Sequence, residues 1–183
     1  MDDGRRRRQF GLANDLGGAM ISDIPSFIGY FDGVRRRTGN YLRTLPPDRI
    51  DWAPRAGEFT CGDLIRHLAA GEQMFVGTVV NARWAYPGHA GTPGDTLAGL
   101  LTALEQGHAT AMAQLRGLPD SVLREPRPTL DGPPLKAWRL LMAMVEHEIH
   151  HRSQLAMYLT LLGVTPPHIY GLGVEDVIAR ATG

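Results

Sequence analysis

Residues 133–162 read PPLKAWRLLMAMVEHEIHHRSQLAMYLTLL, and their apolar side chains recur at helical spacing. The members that lie three or four positions apart form one helical face: Leu140, Met144, His147, His151, Leu155, Tyr158 and Leu162. Prolines stand at the start of the stretch, and Gly163 with Pro166-Pro167 follows its end. The stretch therefore predicts a long helix from about Pro133 to Leu162, with two histidines on an otherwise apolar, inward face.

Three more helices are predicted upstream of this one. The first covers about 17–44, and its regular part begins near Ile24, after Ser22 or Asp23 as the cap. The second opens at Thr60-Cys-Gly-Asp63, which resembles a capping box, and runs to about Val80. The third runs from Asp95 or Thr96 to Arg116.

The segments between the helices are rich in proline and glycine. Pro46-Pro47 stops the first helix, Tyr86–Gly94 reads as a loop, and Leu118–Pro134 reads as a long crossover. Val174–Ala181 adds one or two helical turns. Because no segment alternates as a strand does, the sequence predicts an all-α protein, a four-helix bundle with long crossover loops and a short C-terminal helical tail.

Composition limits the classes of function. The chain has 183 residues, which suits one domain over 15–183 behind a flexible basic arm, residues 1–14, that contains Arg5–Arg8. Lys+Arg and Asp+Glu are equal at 19 each, so nucleic acid is not an expected partner. The only cysteine, Cys61, is expected to be a small buried residue. With no long apolar run and no signal peptide, we expect no membrane contact and a cytoplasmic location.

A third histidine faces inward on the second helix. His67 lies in the row Leu64, His67, Leu68, Gly71 and Phe75, where the glycine leaves room, whereas His150 shares its stripe with charged residues and faces outward. Three buried imidazoles without partners would leave nitrogens unsatisfied at a cost of about 1–3 kcal/mol each. One metal ion shared by His67, His147 and His151 removes that cost. The alternative is a plain helical dimerisation module whose histidines are core residues.

These residues resemble the DinB/YfiT-like family of four-helix metalloproteins. The resemblance covers about residues 20–170 and rests on Asp63-Leu-Ile-Arg-His67-Leu-Ala, His147-x-x-x-His151-Arg-x-Gln154-Leu and Gly163-Val-Thr-Pro-Pro. It implies that His67, His147 and His151 are the metal ligands, and that the protein forms a homodimer. It also implies thiol chemistry, since relatives include transferases that couple low-molecular-weight thiols to electrophiles, and a thiol-dependent isomerase.

Three neutral imidazoles leave open positions on a bound ion, as in reactive metal sites. An all-nitrogen set suits one divalent transition metal, Zn, Ni, Fe or Mn, which would activate water or a thiol. We therefore expect a metal-dependent enzyme of the thiol S-transferase or hydrolase type. Its expected substrate is a small molecule, for example a low-molecular-weight thiol. The alternative is a non-catalytic metal- or ligand-binding stress-response protein.

Several other residues have two interpretations. Asp63 either accepts the free ring N–H of His67 or only caps its helix, and Gln154 either orients His151 or a ligand, or joins two helices. Others are expected in ordinary roles: Glu72 and Glu148 as surface carboxylates rather than acid/base groups or a fourth ligand, Trp84, Tyr86 and His89 as packing residues rather than a pocket mouth, and His108 and His168 as surface histidines.

Overall fold

The computed structural model describes residues 21–182, and the predicted arm, residues 1–14, lies outside them. The helices are α1 (Ile24–Leu42), α2 (Cys61–Asn81), α3 (Leu97–Arg116), α4 (Ala137–Leu161) and α5 (Val174–Ala181). Two 3₁₀ turns cover Pro47–Arg49 and Asp120–Arg124, and two short strands are β1 (Pro126–Arg127) and β2 (Leu135–Lys136). The predicted all-α fold with a short C-terminal helix is confirmed, while the division into arm and single domain stays a prediction.

The predicted capping residues begin the helices. Asp23 caps α1 and accepts a hydrogen bond from Ser26 N at 2.7 Å. At α2 the capping box is complete, since Asp63 N donates to Thr60 Oγ1 at 3.0 Å and Thr60 N donates to Asp63 Oδ2 at 3.0 Å. Thr96 caps α3. Local side-chain chemistry therefore fixes where each of these helices starts.

Helix α4 begins at Ala137, so the predicted start near Pro133 was wrong. The two residues before it, β2, pair antiparallel with β1, in register Pro126↔Lys136. Ala137 N donates to Glu125 O at 2.9 Å. This pairing holds the chain extended up to Lys136, and helix geometry starts only after it.

The helices surround two apolar clusters, one at each end of the bundle. The first includes Phe31, Val76, Met112 and Leu141, and the second includes Leu42, Leu64, Leu104 and Leu159. Helix α4 packs against both α1 and α2, and α2 also packs against α3. No helix of the described part, residues 21–182, is long and apolar enough to span a membrane.

A polar layer separates the two clusters. Each of the helices α1 to α4 contributes residues to both clusters, and polar side chains lie between those two sets of residues. These polar side chains are buried or half-buried: Arg35 and Thr38 on α1, Glu72 on α2, His108 on α3, and Glu148, His151 and Arg152 on α4. The candidate metal centre lies where this layer reaches α2 and α4.

Candidate metal centre

The three predicted ligands lie together between α2 and α4. One ligand nitrogen of each of His67, His147 and His151 lies within 4.8 Å of those of the other two. His67 Nε2 and His147 Nε2 are 2.9 Å apart. The ring centroids of His147 and His151 are 4.5 Å apart, as successive turns of one helix allow. His150 is exposed, as the helical pattern predicts.

Gly71 makes room for His147. A Cβ atom built at Gly71 would lie 2.6 Å from His147 Cε1 and 3.1 Å from its Nδ1. Carbon atoms in real structures do not come this close, so any other residue here would displace the imidazole ring. The small residue one turn after His67 is therefore part of the site.

A chain of hydrogen bonds determines which nitrogen of His151 carries the proton. The Phe59 carbonyl only accepts, so Tyr158 Oη donates to it (3.0 Å) and accepts from Gln154 Nε2 (3.2 Å). The amide oxygen Gln154 Oε1 then faces His151 Nδ1 at 3.0 Å, and that nitrogen must be the donor. The lone pair of His151 is left on Nε2, the nitrogen available to a metal ion. Of the two readings of Gln154, the structure gives the contact with His151.

The second ring nitrogen of His67 has a partner other than Asp63, the residue considered for that role from the sequence. Its Nδ1 is 2.8 Å from Tyr86 Oη, and the same hydroxyl is 2.6 Å from His89 Nδ1. Asp63 instead completes the cap of α2 and binds Arg66 through Oδ1 at 2.8 Å. Asp63 is therefore a capping residue, and Tyr86 and His89, expected only to pack, adjoin the centre.

The imidazoles are held in the neutral form that metal ligation needs. Burial, together with the nearby His151 and His89, lowers the pKa of His67 to about 4. Burial and the neighbouring histidines likewise lower the pKa of His147 to about 4, and burial lowers the pKa of His151. Burial raises the pKa of Tyr86, so its phenol keeps its proton.

The expectation that Glu72 and Glu148 are surface carboxylates was wrong. Both are buried, and Arg35 lies between them, in contact with Glu72 Oε2 and 3.3 Å from Glu148 Oε2. Each carboxylate follows a residue of the metal centre by one position and so points about 100° away from it, towards Arg35. They belong to the polar layer.

His108 was also expected at the surface, and it is half-buried. Its Nδ1 lies 2.7 Å from Glu72 Oε1, and its Nε2 lies 3.0 Å from Asp32 Oδ1. Burial alone would lower the pKa of His108, but its hydrogen bond to Glu72 and the charge of that carboxylate raise the pKa above the ordinary value. His168 is exposed, as expected.

Two further expectations concern buried or packing residues. Cys61 is fully buried, and burial raises the pKa of its thiol to about 11, which agrees with a small core residue. Trp84 packs against Phe75 and donates its indole N–H to Pro128 O at 2.8 Å. Neither residue is part of the histidine cluster.

Phe59, Tyr158 and Arg66 adjoin the site but were not predicted as site residues. Tyr158 stood in the inward stripe of α4, two turns after His151, and that position is the one signal that could have indicated it. Phe59 and Arg66 act through contacts with distant segments, which helical spacing does not reveal.

These residues fit a divalent transition-metal ion. Three imidazole nitrogens converge, and Gly71 leaves space for the ring of His147. The hydrogen bond from His151 Nδ1 to Gln154 leaves the lone pair of His151 on Nε2, where a metal ion can bind. The fold and this cluster define a four-helix-bundle protein with a candidate metal centre. The chain belongs to the DinB superfamily, whose family model matches residues 30–155. None of the curated proteins matches the sequence.

Solved structures of DinB-like proteins share the fold. YjoA from Bacillus subtilis is 19% identical with a TM-score of 0.66, and the match covers 79% of this chain and 96% of that one. A DinB-like protein from Bacillus cereus is 17% identical with a TM-score of 0.70, covering 81% and 99%. YfiT from B. subtilis, described as a probable metal-dependent hydrolase with an unusual four-helix bundle topology, is 16% identical with a TM-score of 0.63, covering 85% and 97%.

Proposed function

We propose that this protein is an enzyme that binds one divalent transition-metal ion with His67, His147 and His151 and uses it to activate water or a small thiol. The observation that carries the proposal is the convergence of three neutral imidazoles, within 4.8 Å of one another, from two packed helices. The all-nitrogen donor set favours Zn, Ni, Fe or Mn over Mg or Ca, which prefer oxygen ligands.

The reaction class follows from the number of ligands. Three protein ligands leave positions open on a tetrahedral or larger coordination shell, and a bound ion lowers the pKa of a water or thiol that occupies one of them. The chain's own residues keep the imidazoles neutral and hold the ring of His151 through Gln154. The description of YfiT supports a hydrolase. The resemblance to the DinB/YfiT-like family, whose relatives include thiol transferases, supports a small-molecule substrate paired with a low-molecular-weight thiol.

A homodimer is part of the proposal. Ile149, Met157 and Leu161 are exposed and project from one side of α4, a combination that favours contact with another protein surface. Sedimentation velocity at micromolar concentration is expected to give the mass of two chains, and a single 20.0 kDa species would contradict this part.

Metal analysis of untagged protein tests the site. We expect one equivalent of metal per chain in the wild type and in His150→Ala, because His150 points outward. His147→Ala should lose the metal. Wild-type protein without stoichiometric metal, or His147→Ala protein that retains it, would overturn the proposal and favour the plain dimerisation module.

Activity separates an enzyme from a binding protein. The metal-loaded protein is incubated with chromogenic esters, and with a panel of small thiols plus a chromogenic electrophile. We expect turnover that disappears in the triple variant His67→Ala, His147→Ala, His151→Ala. Rates equal to those of the triple variant on every substrate would favour the non-catalytic metal- or ligand-binding alternative.

A further inference from the structure

We propose that Tyr86 and His89 are positioning residues of the metal centre, which select the ring nitrogen that His67 presents to the ion. This inference rests on the proposed function, because it concerns residues that act through a metal ligand. It extends the site to the loop between α2 and α3, residues 82–96.

The contacts form one continuous chain. His67 Nδ1 lies 2.8 Å from Tyr86 Oη, which lies 2.6 Å from His89 Nδ1. The other nitrogen of His67, Nε2, faces the cluster, 2.9 Å from His147 Nε2. The Phe59 ring packs on both outer histidines, with centroids 5.2 Å from His67 and 4.8 Å from His89.

Metal binding determines which group is the donor and which the acceptor in each of these hydrogen bonds. An imidazole nitrogen that binds a metal must offer a lone pair, so the proton of neutral His67 sits on Nδ1 and is donated to Tyr86 Oη. The phenol then has its own O–H to donate, and His89 Nδ1 must accept it. The opposite direction would put a proton on His67 Nε2 and block the ligand. We therefore infer the Nδ1–H form of His67 and the Nε2–H form of His89.

The loop holds these two residues against α2. Arg66, one position before His67, donates from Nε to His89 O at 3.0 Å and from Nη1 to Asp95 Oδ2 at 2.7 Å. A Cβ at Gly91 would lie 3.0 Å from Arg66 Nη2, so the loop backbone passes close to the guanidinium. Because the loop is fixed in this way, Tyr86 can constrain the ring of His67.

The first measurement is the dissociation constant for Zn²⁺ of Tyr86→Phe, by competition with a chromogenic chelator. This variant removes only the hydroxyl, and the loss of an outer partner of a metal-bound histidine weakens affinity by about 10-fold or more. Tyr30→Phe is the matched control, since Tyr30 is an exposed tyrosine on α1, a helix that supplies none of the three histidines, and it should bind as the wild type does.

The second measurement separates positioning from packing. Two-bond ¹⁵N–¹H spectra of the Zn²⁺ protein, which distinguish Nδ1–H from Nε2–H imidazoles, should show the forms inferred for His67 and His89. In Tyr86→Phe the His89 pattern should become a mixture of the two forms. His89→Phe, which keeps an aromatic ring beside Phe59, should weaken Zn²⁺ binding in the wild type and have little further effect in Tyr86→Phe.

These measurements distinguish failure of the positioning role from failure of the proposed function. If the wild type binds Zn²⁺ through His147 but Tyr86→Phe binds equally well, the positioning role is wrong and the proposed function stands. If His67 of the Zn²⁺ protein is found in the Nε2–H form, the positioning role and the assignment of His67 as a metal ligand are both wrong. If the wild type binds no metal, both proposals fail.

Discussion

At the scale of single residues, Gly71 has the strictest requirement in the centre. It lies on α2 directly opposite the ring of His147, and an added Cβ would lie 2.6 Å from His147 Cε1. Gly107, on α3, has no atom within 4 Å of such a Cβ. The two helical glycines therefore form a matched pair, one constrained by a ligand and one unconstrained.

We expect Gly71→Ala and Gly107→Ala to change stability in opposite directions. Alanine suits a helix better than glycine, so Gly107→Ala should raise the free energy of unfolding by about 0.5–1 kcal/mol. Gly71→Ala should lower it by about 1–3 kcal/mol through overpacking and should also weaken metal binding, because the ring of His147 must move. Urea unfolding and Zn²⁺ titration measure both effects, and equal stabilisation by the two variants would contradict the close contact.

At the scale of elements, one side chain of α2 holds the loop 82–96. Arg66 contacts the His89 carbonyl and two carboxylates, Asp63 and Asp95. Asp95 Oδ2 also accepts a hydrogen bond from Thr92 N at 3.0 Å. The guanidinium thus joins the start of α2 to both the middle and the end of the loop.

Arg66→Met should free this loop without unfolding the bundle. Hydrogen bonds to charged groups contribute about 1.5–3 kcal/mol each, so amide hydrogen exchange at Thr92 and Asp95 should accelerate about 10-fold or more. Arg83→Met is the control, because Arg83 is an exposed arginine just after α2. Unchanged exchange in Arg66→Met would show that the loop is held by other contacts.

At the scale of the whole molecule, the four helices meet in a charged layer between two apolar clusters. Arg35 from α1 lies between Glu72 and Glu148, and His108 from α3 completes the contacts of Glu72. Burial raises the pKa of Glu148, and the charge of Arg35 opposes that rise. The positive charge of Arg35 therefore stabilises both buried carboxylates.

Removing that cation should be severely destabilising. Arg35→Met leaves two buried carboxylates side by side, and breaking a buried pair in this way costs about 3–5 kcal/mol. Arg36→Met, at the exposed neighbouring position, should change the free energy of unfolding by less than about 0.5 kcal/mol. Denaturant unfolding monitored by circular dichroism compares the two. An unchanged free energy of unfolding in Arg35→Met would contradict this stabilising role of Arg35.

His108 should make stability depend on pH. Its pKa is raised in the folded protein, so its stabilisation is complete below the unfolded value of about 6.5 and is lost as the pH rises through the folded pKa. The difference in unfolding free energy between the wild type and His108→Gln should therefore be larger at pH 6 than at pH 9. A difference that grows with pH would contradict the ion pairs with Glu72 and Asp32.

The sequence by itself determined the helices, most of their starting residues and the inward-facing histidines. Caps such as Asp23 and Thr60 act on backbone N–H groups within one turn, and the 3.6-residue period states which side chains share a face. Both effects are local, so they can be read without knowing the fold. The same period indicated that His147 and His151 face inward and that His150 faces outward.

Only the tertiary structure determined which side chains and backbone groups contact those residues. A carboxylate at the edge of an apolar stripe is exposed unless another helix supplies a cation, and Arg35 lies 37 positions from Glu72. The start of α4 depended on pairing with β1, and the partner of His67 proved to be Tyr86, 19 positions away on a loop, rather than Asp63 on its own helix. These contacts arise between segments that are distant in sequence, so no local spacing determines them.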